Sequence, residues 1–73
     1  MDMKIAQRIM QLEKEAVKIQ DEINAINYRV ANTQDVALIK NATKELKLLD
    51  KDLKQNNKEL KKALKELKKI NKE

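Results

Sequence analysis

Apolar residues fall along the first half of the chain at Ile5, Ile9, Leu12, Ala16, Ile19, Ile23, Ile26 and Val30, with steps alternating between four and three. That alternation keeps one stripe on one side of an α-helix and marks a coiled-coil seam. The second half repeats the pattern at Ile39, Ala42, Leu46, Leu49, Leu53, Asn56, Leu60, Ala63, Leu67 and Ile70. Two helices are predicted, over about 3–31 and 35–72, with a turn at about 32–34.

The two stripes are out of phase. After Val30 the first stripe calls for an apolar residue at position 37, and the second begins at Ile39. Two extra residues turn a continuous helix by roughly 200°, which would leave the apolar faces on opposite sides. A reversal in "ANTQD" (31–35) lets them meet, so the fold class expected is all-α, an antiparallel two-helix hairpin forming one domain. Asn32 or Thr33 would cap the second helix, with Asp35 in its first turn. Asn32 would also end the first helix in a left-handed conformation.

Folding about that turn pairs Ile26 with Ile39, Ile19 with Leu46, Leu12 with Leu53 and Ile9 with Asn56. The second helix then outruns the first by about ten residues, or roughly 15 Å, and leaves Leu64, Leu67 and Ile70 without an intramolecular partner. The same pairing sets Glu22 near Glu45 and Glu15 near Asp52, two like-charge neighbours. Asn56 occupies a seam position, where an amide fixes register or oligomer state at some cost in stability. The first helix carries Met3, Ala6, Met10 and Val17 beside its stripe, a band wider than a two-helix seam uses. Surplus apolar surface of this kind suits self-association, most simply a homodimer of hairpins forming a four-helix bundle.

Composition sharpens this picture. A chain of 73 residues gains only about 3–5 kcal/mol from a core of its own, and with no Cys and no His neither disulfides nor the usual zinc sites can add to it. Gly, Pro, Trp, Phe and Ser are also missing. Catalytic triads, the usual zinc sites and phosphate-cradling glycine loops therefore have no residues to be built from. The expectation is a protein without enzymatic activity, cofactor, metal or small-molecule substrate. The charged N-terminal stretch does not look like a leader, and the longest apolar run, Val36–Ile39, is far short of a membrane span. A cytoplasmic location without membrane association is expected.

Charge is distributed unevenly. Residues 1–31 hold five basic and five acidic side chains, whereas 58–73 hold seven lysines against three glutamates, within a net charge of +5. Lys40, Lys44, Lys47, Lys51, Lys54, Lys58, Lys61, Lys65, Lys68 and Lys72 recur every four and three residues, opposite the seam, over about 48 Å. Solubilising a helix is the simplest use of such a ladder. A second use is to meet an anionic partner through Lys47, Lys51, Lys54, Lys58, Lys61, Lys65, Lys68 and Lys72. With two arginines and Tyr28 as the sole aromatic, RNA or DNA bound there would be held with little reading of sequence.

The function expected is a coiled-coil protein–protein interaction module, a small inhibitor or adaptor binding a larger protein as well as itself. Its contact residues would be Leu60, Leu64, Leu67 and Ile70 at the end of the second helix and Met3, Met10 and Val17 on the first. A sequence-tolerant nucleic-acid binder using the lysines is the alternative, and a structural or designed coil without ligand is the third reading.

Overall fold

The computed structural model describes residues 3–72, with side chains described through Ile70. It is an antiparallel hairpin of two α-helices, α1 (Met3–Ala31) and α2 (Val36–Lys72), with the all-α architecture predicted from the stripes. The rod measures 57 × 14 × 14 Å. Its long dimension is that of α2, whose 37 residues span about 56 Å at 1.5 Å each.

The reversal is built differently from the sequence expectation. Asp35 caps α2: its Oδ1 accepts hydrogen bonds from the backbone N–H groups of Ala37 at 3.0 Å and Leu38 at 3.4 Å. Its carbonyl accepts the first helical bond, from Ile39 N–H at 3.0 Å. Thr33 supports this cap, its hydroxyl oxygen accepting from Asp35 N–H at 3.2 Å. Asn32 serves the other helix, donating from Nδ2 to the Tyr28 carbonyl at 2.8 Å. No non-glycine residue has positive φ among the described residues, so the left-handed ending expected at Asn32 does not occur. Instead α1 tightens, with Asn32 N–H bonding to Arg29 O at 3.2 Å and Thr33 N–H to Val30 O at 3.3 Å. These bonds satisfy carbonyls that a helix end leaves open.

Moving the cap to Asp35 moves the register. Asn56 donates from Nδ2 to the carbonyl of Leu12 at 3.0 Å, so Asn56 lies level with Leu12, where Leu53 was expected. Ile26 borders a small cavity with Ala42 rather than pairing with Ile39. The slide is about one helical turn, and it conserves every apolar position because the seam repeats with that spacing. It also shortens the overhang of α2. Ala63 is buried, at 3% exposure, opposite the start of α1, and Leu67 is half-buried.

The core is thin. Leu12, Ile26, Ala42 and Ala63 are its buried apolar residues among those described, with Asn56 as a buried polar one. The remaining seam residues are half-buried, apart from Ile70, which is exposed. The accessible surface is 6262 Å², against roughly 4,700 Å² for a compact monomer of this mass.

Candidate interaction surfaces

Three surfaces follow from how the heptads turn around the two helices. The first is the outer side of α1. Met3, Met10 and Val17 recur every seven residues and project away from α2, with Met10 59% and Val17 62% exposed. Met10, Glu13, Lys14 and Val17 border an open depression of about 370 Å³. Residues at i, i+3, i+4 and i+7 make the four-cornered hole into which a neighbouring helix inserts a side chain. Among the described residues α1 alone lines this hole, which leaves it open to receive one.

The end of α2 is less open than its sequence suggested. Leu60 and Leu67 are half-buried, Leu60 as a seam residue in either register and Leu67 because the slide brings the start of α1 further along α2. Leu64 and Ile70 remain exposed. The predicted contact residues thus divide: Met3, Met10, Val17, Leu64 and Ile70 stand at the surface, and Leu60 and Leu67 belong largely to the seam.

The second surface is the lysine ladder. Lys40, Lys44, Lys47, Lys51, Lys54, Lys58, Lys61, Lys65 and Lys68 are all exposed on the outer side of α2; the side chain of Lys72 lies outside the described residues. Lys54 forms an ion pair with Asp50 at 3.2 Å within α2, both groups well exposed. Such a pair contributes a few tenths of a kcal/mol.

The third surface escaped the sequence reading as a site. Along one side of the seam a groove runs between the helices, widening into a pocket of about 430 Å³ bordered by Glu22, Arg29, Glu45 and Leu48. It continues past Glu22 into a second, of about 310 Å³, bordered by Glu15, Lys18, Asp52 and Glu59. The floor is apolar, from Ile19, Ile26 and Leu49. Asn56 joins the floor of the second pocket at 5% exposure, and its Oδ1 is buried with no hydrogen-bond partner. The signal was present in the sequence as two expected like-charge neighbours. Glu22 and Glu45 do share the first pocket, and Glu15 and Asp52 the second.

Among the described residues no group of three His, Cys, Asp or Glu converges as a metal site would require. No helix there is long and apolar enough to cross a membrane. No family model, curated protein or solved structure matches the chain.

Proposed function

We propose that this chain is a non-enzymatic protein–protein contact module, a helical hairpin that pairs with itself and holds a larger protein as an adaptor or inhibitor. The observation that carries the reading is the Met3–Met10–Val17 stripe, apolar, regularly spaced and facing away from α2. Apolar stripes at coiled-coil spacing associate because burying them removes them from water at about 25 cal/mol per Å². The area is ample. The surface exceeds that of a compact monomer by roughly 1,600 Å², about twice what one partner contributes to a standard interface.

Sedimentation equilibrium tests the reading. At tens of micromolar the wild-type chain is expected to sediment as a dimer, and Met10→Glu with Val17→Glu to return it to a monomer without loss of helix. A wild-type monomer with a sharp melt, together with no larger protein retained from cell extract in a stripe-dependent way, would count against it.

A second reading draws on the ladder, nine exposed lysines in register on one side of α2. As a sequence-tolerant nucleic-acid binder the chain would bind labelled duplex and single-stranded probes alike. Its affinity would fall steeply with salt, because each neutralised phosphate releases counterions. Lys54, Lys58, Lys61 and Lys65 changed to Gln would flatten that slope. Absence of binding at low salt retires this reading.

A further inference from the structure

We infer that the carboxylate-rimmed groove between α1 and α2 is a docking site for a cationic amphipathic helix of another protein. The inference rests on the reading of this chain as a contact module, and it adds a surface and a partner chemistry of its own. Its rims carry Glu15 and Glu22 from α1 and Glu45, Asp52 and Glu59 from α2. Along each helix these acids recur every seven residues, about 10.5 Å apart. Between them Asn56 lines the floor, with its Oδ1 buried and without a hydrogen-bond partner. All of these groups accept hydrogen bonds, and none of them donates except the Asn56 amide, already committed to Leu12. A ligand complementary to five carboxylates is a cationic donor, which describes a lysine ammonium or arginine guanidinium. Lys18 and Arg29 border the same groove and leave the carboxylates in the majority.

The floor decides between a small cation and a helix. Ile19, Ile26 and Leu49 lie along it, and Leu48 stands 63% exposed at its edge. A polyamine or metal ion would leave that apolar surface wet. A helix with a leucine stripe flanked by cations covers it while meeting both rims, the helix-in-groove mode of peptide recognition. From Glu45 to Glu59 the groove runs about 21 Å, the length of a helix of about fourteen residues.

A second copy of this chain does not fit the same face. Two hairpins packed groove to groove would set the same carboxylates against each other, a like-charge arrangement that costs stability. The apolar side of α2 in a second copy is committed to its own seam, with Leu60 and Leu67 half-buried and Ala63 buried, so the occupant is a different protein, and the stripe on the outer side of α1 remains open for self-pairing.

The test uses a fluorescent synthetic peptide of three Leu-Lys-Lys-Ala-Leu-Lys-Lys repeats, with an otherwise identical Glu-for-Lys peptide as control. The chain's own net charge of +5 repels the cationic peptide at long range, so net charge does not draw it in. Binding of the cationic peptide alone is expected in low salt. Glu22→Gln, Glu45→Gln and Asp52→Asn combined should weaken it at least about tenfold, since charge-assisted contacts dominate such pairing. These substitutions relieve like-charge repulsion, and an unchanged helix signal by circular dichroism is expected, which separates the loss of binding from unfolding. The Met10→Glu, Val17→Glu chain should bind the peptide as wild type does.

No binding of the cationic peptide overturns the inference. So does binding that the triple neutralisation leaves intact, equal binding of the acidic peptide, or loss of binding in the outer-stripe variant. A wild-type dimer that dissociates on triple neutralisation overturns it too, for the groove would then hold a second copy. If the stripe variant abolishes self-pairing while the peptide is ignored, the groove inference alone falls. If the stripe variant changes nothing while the peptide binds the groove, the stripe reading alone falls.

Discussion

At the scale of single residues, Asn56 and Asp35 decide most of what distinguishes this hairpin from a generic one. Asn56 gains one hydrogen bond, to the Leu12 carbonyl at 3.0 Å, and leaves Oδ1 buried and unpartnered. A bond of this kind contributes about 1 kcal/mol net, whereas an orphaned buried acceptor costs about 1–3 kcal/mol. Asn56→Leu is therefore expected to raise the melting temperature by about 4–8 °C, followed by circular dichroism, for a net gain near 1 kcal/mol. The same change removes the polar tie to Leu12 that marks the register. Ala16 belongs to this arrangement. It lies one turn beyond Leu12 on the same stripe, and a methyl there leaves the Leu12 carbonyl reachable. Ala16→Leu should cover that carbonyl and overfill the seam, at a cost of about 1–3 kcal/mol. At the turn, Asp35→Ala strips α2 of its cap and should destabilise the hairpin by about 1 kcal/mol, and Asp35→Asn should restore most of the loss because its amide oxygen can still accept. A thermal melt of each variant checks both.

At the scale of the helices, the existence and inward faces of α1 and α2 were legible because the four–three alternation is unbroken and the phase jump at Val30–Ile39 demands a reversal. The register was not legible. A slide of one turn returns apolar residues to apolar positions, so periodicity is blind to it. What fixes it is local: the cap falls on Asp35 rather than Asn32 or Thr33, which lengthens the connection and carries α2 one turn past the expected pairing. The acidic groove was half-visible, as unfavourable pairs along one flank of the seam. A sequence selected for hairpin stability alone would place lysine on one rim. Glu45→Lys, which replaces the like charge facing Glu22 by an opposite one and gains more there than it loses to Arg29 further along the groove, should stabilise the hairpin by up to about 1 kcal/mol at low ionic strength. In about 1 M NaCl the gain should vanish, because the Debye length shrinks to about 3 Å. A gain that survives high salt would mean that packing of the lysine stem, not charge, is responsible. Retaining Glu45 in place of a stabilising lysine is what a surface kept for a cationic partner requires.

For the molecule as a whole, the thin core and the large surface make stability and association one question. Four apolar residues are buried among those described, two of them alanines, and the rod exposes 6262 Å². A folded state that gains free energy from a second copy must melt later as the chain is concentrated, since mass action stabilises whatever binds only the folded form. Over a hundredfold rise in concentration the linkage is worth up to about 2.7 kcal/mol per dimer, half of that per chain, or roughly five to ten degrees for a domain of this size. The expected outcome is a melting temperature that climbs by several degrees between about 5 and 500 µM. In the Met10→Glu, Val17→Glu chain it should stay flat. Both chains have the same seam, cap and register, so a difference in their concentration dependence isolates the outer stripe of α1 from everything else that holds the hairpin together. A flat wild-type curve would place the whole stability of the molecule in its single seam, and Met3, Met10 and Val17 would then be free for a larger partner alone.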